Sequence, residues 1–184
     1  MIPKTVPVRE ALGRVTSDYL GINYYTKGYL KWRALSEMQQ DFPIQVQFYR
    51  GNEPKSDLDW AIHPEGLSKM IRLAKTYGLP LYITENGIAD AQDRYRSQYI
   101  IEHLKVVAKE IDHGAPIKGY FYWSLLDNFE WIKGYPPRFG LLNVDYGTMQ
   151  RAIRDSARNY SKIIAMHRGY FNSPHLSLLS SLSF

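Results

Sequence analysis

The chain has 184 residues, of which 45% are hydrophobic and 22% are charged, and its formal net charge is +5. This length allows one domain with its own core, and the composition is neither that of a disordered chain nor that of a membrane-embedded one. The chain has no cysteine, which excludes disulfides and thiolate metal sites.

The same numbers limit the partners. No apolar run approaches the ~20 residues that cross a bilayer, and no secretory signal pattern opens the sequence, so we predict a cytoplasmic protein without a membrane partner. Lysine and arginine are scattered rather than clustered. A nucleic-acid partner is therefore not expected, because that function needs a concentrated basic face.

In chain order, residues 1–14 form an irregular lead-in segment. A buried strand is predicted over residues 18–26, and residues 27–60 have no sustained period, which predicts a long loop over a pocket. Residues 173–184, rich in serine and leucine, are predicted to be disordered, with the tail starting at about 171.

Three helices are predicted between the strands. The apolar faces are spaced as in amphipathic helices, and Pro64 suits a first helical position. The predicted spans with their buried faces are 64–77 (Leu67, Met70, Ile71, Ala74), 95–113 (Ile100, Leu104, Val107, Ile111) and 154–167 (Ala157, Tyr160, Ile164). Further strands are predicted at 79–87 and 117–124, and this alternation indicates a parallel α/β sheet.

Glu85 stands at the polar end of the apolar strand 79–87. In α/β folds the carboxyl ends of parallel strands carry the chemistry, since loops assemble a pocket there. Right-handed connections would bring Tyr25, Trp123 and Glu130 to the same edge. A glutamate that has merely reached solvent remains an alternative from the pattern alone.

Four motifs resemble the family 1 glycoside hydrolases. They are Gly-Ile-Asn-Tyr-Tyr-Thr at 21–26, Ile-Thr-Glu-Asn-Gly at 83–87, Tyr-Trp-Ser-Leu-Leu-Asp-Asn-Phe-Glu-Trp at 122–131, and Arg-Phe-Gly-Leu at 138–141 with Val-Asp-Tyr at 144–146. They occur in the family's order across residues 15–167, so coincidence is a poor explanation. The resemblance implies the last three strand–helix units of a (β/α)8 TIM barrel, an incomplete barrel over residues 15–170.

The resemblance also implies the chemistry, that of a retaining β-glucosidase or β-galactosidase with no cofactor or metal. Glu85 would be the nucleophile, with Tyr25 hydrogen-bonded to it. Asn23, Glu130 and Trp131 would line the sugar site, and Trp123 would pack against the sugar, although plain core packing is an alternative for both tryptophans. A carboxylate at Glu130 would repel a phosphate, which favours an unphosphorylated sugar.

The family's acid/base glutamate lies in a Thr-x-Asn-Glu-Pro motif after the fourth barrel strand, ahead of the part that this chain resembles. Asn52-Glu53-Pro54 looks similar, but it follows the Asn-Tyr-Tyr strand and lacks a preceding buried strand, so we interpret Glu53 as a solvated loop residue. Retaining hydrolysis needs two carboxyl groups.

These observations leave three hypotheses. The chain is a β-glycosidase fragment that acts on β-glycosides or oligosaccharides once an N-terminal half complements it. Alternatively, it is a catalytically dead carbohydrate-binding or scaffold fragment, or a truncated product without a function of its own. Open parallel edges also predict self-association of the chain when no complementary half is present.

Overall fold

The computed structural model describes residues 17–32 and 44–170, with side chains through residue 167. The predicted lead-in segment and the predicted disordered tail lie outside these residues, as does the middle of the predicted loop. The described elements are β1 (Leu20–Asn23), β2 (Tyr29–Trp32), β3 (Ile44–Gln47), α1 (Pro64–Lys75), β4 (Leu81–Asn86), α2 (Arg96–Asp112), β5 (Ile117–Tyr122), a 3-10 turn (Trp131–Lys133), β6 (Leu142–Val144), β7 (Arg151–Ile153) and α3 (Asp155–Tyr170).

The central sheet has the order β1-β4-β5, and both pairs are parallel. Asn23 is paired with Glu85, and Asn86 with Tyr122, so the three carboxyl ends meet at one edge. This confirms the predicted parallel sheet and the predicted meeting of its strand ends. Within residues 17–32 and 44–170 the sheet stays open, with β1 and β5 at its edges.

The core lies between the sheet and the helices α1 and α2. Pro64 occupies the start of α1, and Glu65 lies in its first turn, where the positive end of the helix dipole favours a carboxylate. Met70 was predicted on the buried face but is 42% exposed, because the apolar stripe of α1 is narrower than the sequence indicated. The buried core consists of Ile22, Tyr24, Leu67, Ile71, Ala74, Leu81, Ile83, Val107 and Ala115.

The buried side of α2 differs from the predicted one. Ile100 and Val107 are buried as predicted, but Ile111 is 39% exposed. Polar residues occupy the rest of the buried side, namely Arg96, Tyr99, His103 and Glu110. On α3, Tyr160 packs against the rings of Tyr120 and Tyr122, whereas the predicted core residue Ile164 is exposed.

Two antiparallel hairpins were not predicted. β2 pairs with β3, Leu30 opposite Val46, inside the stretch that we interpreted as a loop. β6, which lies within the last motif, pairs with β7 after it, with Asn143 opposite Ala152. The strands are only three or four residues long, β2 and β7 are largely exposed, and none shows the alternating burial on which a strand prediction depends.

Among the helices in the two described ranges, none has the length and apolarity needed to cross a membrane.

Candidate active site

Glu85 is the second-last residue of β4, the middle strand of the sheet, and is half-buried. Its backbone carbonyl accepts a hydrogen bond of 2.9 Å from the amide of Tyr24, which extends the ladder between β1 and β4. The side chain is therefore fixed at its base by two neighbouring strands while its carboxylate stands at their ends. This is the position that the sequence predicted for it.

The phenol of Tyr25 donates a hydrogen bond of 2.5 Å to Oε2 of Glu85. Its ring lies edge-on to Trp60 and Phe139, at centroid distances of 5.8 and 5.9 Å. Burial, followed by the hydrogen bond to Glu85, raises the pKa of Tyr25 well above its ordinary value, so the phenol keeps its proton. Tyr25 is thus a hydrogen-bond donor to Glu85, with its ring held in place by aromatic packing.

The sequence analysis did not identify Trp60 and Phe139 as site residues. Phe139 belongs to the Arg-Phe-Gly motif and is almost fully buried, whereas Trp60 lies just before α1 in the predicted loop. The abundance of aromatic residues was the one available signal, and it did not distinguish core rings from ligand-stacking rings.

Asn23 ends β1 and is exposed at the same edge of the sheet. Its Oδ1 accepts a hydrogen bond of 2.6 Å from the hydroxyl of Thr84, the residue before Glu85. The amide NH2 group of Asn23 takes no part in this bond, so it is the end of the side chain that a ligand hydroxyl would meet.

Trp123 follows β5 and comes close to the end of β4. Its backbone amide donates to the carbonyl of Asn86 at 3.0 Å, and a Cβ on Gly87 would lie 1.9 Å from the Trp123 carbonyl oxygen. Only glycine allows this approach. The indole is half-buried, and the peptide bond to Ser124 is cis.

Glu130 and Trp131 lie on the loop after β5, where the amide of Glu130 donates to the carbonyl of Gly134 at 2.7 Å. Burial raises the pKa of Glu130, and repulsion from the carboxylate of Glu85 adds to this effect. The two carboxylates are therefore within electrostatic range of each other. Trp131 is 81% exposed, so within the described structure its indole is not a core side chain.

Asp127 is buried and holds this loop in place through its hydrogen bonds. Its carboxylate accepts hydrogen bonds from the amide of Gly140 at 2.8 Å and from the guanidinium of Arg154 at 3.1 Å. A Cβ on Gly140 would lie 2.2 Å from the Asp127 amide nitrogen, so the two segments touch at their backbones. The sequence placed Asp127 in a motif but did not identify this role.

Glu53 lies outside this cluster of contacts. Its carboxylate is 2.6 Å from the ammonium of Lys27 and accepts a hydrogen bond of 2.9 Å from the phenol of Tyr29. The hydrogen bond from Lys27 is the main cause that lowers the pKa of Glu53. An ionised, paired carboxylate is a poor proton donor, which fits the interpretation of Glu53 as a loop residue.

The described side chains contain no group of three or more histidine, aspartate or glutamate residues arranged to hold a metal ion. The groups at or near the carboxyl edge of the sheet are the carboxylates of Glu85 and Glu130, the phenol of Tyr25, the amide of Asn23 and the indoles of Trp123 and Trp131.

Comparison with known proteins gives a consistent result. Residues 9–169 match the sequence model of the family described as "Glycosyl hydrolase family 1". "Beta-glucosidase A" of Thermotoga maritima is 39% identical over 80% of this chain and 34% of its own length. "Beta-galactosidase" of Pyrococcus woesei is 36% identical over 83% of this chain and 32% of its own length.

Solved structures agree. The "beta-glycosidase from Pyrococcus horikoshii" superimposes with a TM-score of 0.72 at 42% identity, over 80% of this chain and 34% of that one. A "Beta-glucosidase from Thermotoga maritima in complex with glucoimidazole" gives 0.71 at 37% identity over the same shares. The relatives are named as glycosidases, and the chain spans about a third of their length.

Proposed function

Because the chain belongs to glycosyl hydrolase family 1, we propose that it carries the nucleophile of a retaining β-glycosidase, with Glu85 as that nucleophile. The observation that carries the proposal is the hydrogen bond of 2.5 Å from Tyr25 to Glu85 at the carboxyl edge of a parallel sheet. It supports a fixed orientation of the carboxylate, since Tyr25 occupies Oε2.

In the proposed first step, Oε1 of Glu85 attacks the anomeric carbon while Tyr25 occupies Oε2. The bond from the anomeric carbon to the glycosidic oxygen breaks, and the leaving oxygen takes a proton from a second carboxylic acid. A glycosyl ester on Glu85 results. Water then attacks the anomeric carbon and gives a proton to the second carboxylate, while the ester bond to Glu85 breaks. The sugar is released with its anomeric configuration retained.

The neighbouring residues would bind the sugar. Asn23 and Glu130 offer an amide and a carboxylate for vicinal hydroxyls, and Trp131, with its exposed indole, offers a face on which a sugar ring can stack. Trp123 would pack against the same sugar. Glu130 would disfavour a phosphorylated sugar, because phosphate and carboxylate repel each other.

Of the other described carboxyl groups, Glu130 is assigned to the sugar hydroxyls and Glu53 is paired with Lys27, so neither is proposed as the second carboxyl group. We propose that it comes from the remaining part of a family 1 protein, joined to this chain or assembled with it. The assembly of this chain with that part is called the completed enzyme below. Protonation of the leaving group contributes roughly 10²- to 10⁴-fold to the rate, so the isolated chain should hydrolyse an aryl β-glucoside very slowly.

Azide rescue tests the proposal. In the completed enzyme, Glu85→Ala should abolish hydrolysis of a dinitrophenyl β-glucoside, and added azide should restore cleavage with α-glucosyl azide as the product. Azide enters from the face that the carboxylate has vacated, which inverts the anomeric centre. Glu130→Ala is the matched control and should give no α-azide.

A β-azide product from Glu85→Ala would contradict the proposal, because it would place Glu85 on the leaving-group side. A completed enzyme that binds glucosides without cleaving them would instead favour a carbohydrate-binding function, for which the exposed Trp131 provides the stacking surface.

A further inference from the structure

Asn86, the residue after Glu85, is fully buried and connects four parts of the fold. Its Nδ2 donates to the carbonyl of Tyr24 at 2.6 Å and to the hydroxyl of Tyr99 at 2.9 Å, and its Oδ1 accepts from the hydroxyl of Tyr120 at 2.7 Å. The carbonyl of Tyr24 only accepts, so the amide orientation is determined by its partners. Because the amide is buried, each of these bonds is costly to lose.

Tyr99 extends this arrangement from α2 to Tyr25. Its hydroxyl accepts from Asn86 and donates to the backbone carbonyl of Tyr25 at 3.2 Å. Its ring is almost completely buried and stacks on His103 with centroids 3.9 Å apart. The hydroxyl therefore stands at a fixed point between the backbone of Tyr25 and the side chain next to Glu85.

Asn86 also contacts the third strand end, since its own carbonyl accepts the amide of Trp123 at 3.0 Å. Asn86 and the bonded Tyr99 thus hold three segments in place. These segments carry the reacting carboxylate of Glu85, the phenol of Tyr25 and the indole of Trp123, which is proposed to pack against the sugar. Neither Asn86 nor Tyr99 has a polar atom left to face a ligand in this arrangement, so their action is indirect.

We propose that Asn86 and Tyr99 are positioning residues for the reaction, an inference that rests on the proposed role of Glu85. They hold the backbone at Tyr25 against the end of β4, so that the phenol meets Oε2 of Glu85 before a sugar binds. Preorganised donors of this kind lower the barrier because no reorganisation is needed during the reaction.

A double-mutant cycle in the completed enzyme tests this action through Tyr25. Tyr99→Phe keeps the ring stacked on His103 and removes only the hydroxyl. We expect it to lower kcat for an aryl β-glucoside by about three- to tenfold, the effect of one weak hydrogen bond, with KM within about twofold. In the Tyr25→Phe background the same substitution should cause no further loss, because the bond that it supports is already gone.

Tyr160→Phe is the matched control. Its ring also packs in this aromatic region, against Tyr120, but its hydroxyl makes none of the bonds described above, so its kcat should equal that of the wild type. Asn86→Ala is measured in both backgrounds together with its free energy of unfolding, since it leaves the carbonyl of Tyr24 unpaired. If that variant does not fold, the positioning role is tested by Tyr99→Phe alone.

Equal losses from Tyr99→Phe in both backgrounds, or no loss in either, would overturn the inference. A second readout does not depend on catalysis: the exchange rate of the Tyr25 hydroxyl proton, whose NMR resonance the Tyr25→Phe variant identifies. Tyr99→Phe should accelerate this exchange, and Tyr160→Phe should not. If the wild-type completed enzyme fails to hydrolyse glucosides, the proposed function is wrong, and unchanged exchange in Tyr99→Phe would separately refute the positioning role.

Discussion

Glu85 is half-buried near a second carboxylate, that of Glu130, and its charge affects this neighbour. Repulsion from Glu85 contributes to the raised pKa of Glu130, while Tyr25 donates to Glu85 and keeps its own proton. Esterification of Glu85 would remove its charge and hence this repulsion. In the proposed mechanism, the pKa of Glu130 would then fall, so that its carboxylate keeps its charge while it accepts a hydrogen bond from a sugar hydroxyl during the covalent step.

The variant Tyr25→Phe should slow the attack by Glu85 on the sugar without preventing it. The variant removes one hydrogen bond to a charged oxygen but not the reacting atom, so the rate of glycosylation in the completed enzyme should fall by about 10- to 100-fold. Pre-steady-state release of the aryl group measures this rate. Glu53→Gln is the control and should leave the rate unchanged, because Glu53 is bonded to Lys27 and Tyr29. A loss in Glu53→Gln as large as in Tyr25→Phe would contradict the assignment.

Among the elements, α2 combines an apolar stripe with a buried histidine. Nδ1 of His103 donates to the carbonyl of Tyr99 at 2.8 Å, whereas within the described residues Nε2 is buried without a hydrogen-bond partner. The neutral ring fits this place and a protonated ring does not. Burial accordingly lowers the pKa of His103 to about 4.

This environment predicts a loss of stability as the pH falls. The unfolded chain binds a proton at His103 near pH 6.5, whereas the folded chain does so only near pH 4, so the stability is complete above 6.5 and is lost on acidification toward 4. Between pH 7 and pH 5 the free energy of unfolding should fall by about 2 kcal/mol from this residue. Urea unfolding of the dilute chain at both pH values measures the change. His103→Gln should reduce the difference, and an unreduced difference would contradict the prediction.

Predictability from the sequence also varied between elements. The order of the strands and helices of the sheet was evident, since β4 and α1 have strong apolar patterns with clear ends. The hairpins β2–β3 and β6–β7 were not predicted. Their short strands form because they pair with each other, and no pattern within either strand indicates this. The burial of polar residues on α2 was not predicted for a related reason. Arg96 can be buried because it donates hydrogen bonds to residues far away in the sequence, such as Tyr122.

The candidate site was predictable to the extent that it lies at strand ends. Glu85 and Tyr25 were predicted to converge, and their hydrogen bond confirms it. Trp60 and Phe139, which hold the ring of Tyr25, come from segments whose approach depends on the tertiary fold, and no spacing along the chain indicates it.

On the scale of the whole molecule, the described part of the chain leaves large apolar groups exposed. Phe121 on the edge strand β5 is 57% exposed, and Ile132, in the turn beside Trp131, is 97% exposed. Isolated apolar side chains are common on surfaces, but Phe121 lies on an open edge strand, where backbone groups are available for pairing. The chain spans about a third of its relatives' length.

The isolated chain is therefore expected to self-associate. Sedimentation velocity over a range of concentrations should show species larger than a monomer, and Ile132→Glu should shift the distribution toward monomer by placing a charge in the contact surface. Lys118→Glu, on the same edge strand as Phe121, tests whether a charge change alone has this effect. A cooperatively melting monomer at all concentrations would contradict the expectation.

The central claim is that Glu85 forms a covalent bond to the sugar, and trapping that bond tests it most directly. A 2-fluoro β-glucoside with a good leaving group should label the completed enzyme, since the fluorine slows hydrolysis of the glycosyl ester more than it prevents its formation. Peptide mapping by mass spectrometry should place the adduct on residues 81–87, and Glu85→Gln should abolish it. An adduct on Glu130 or Glu53, or full labelling of the Glu85→Gln protein, would contradict the account.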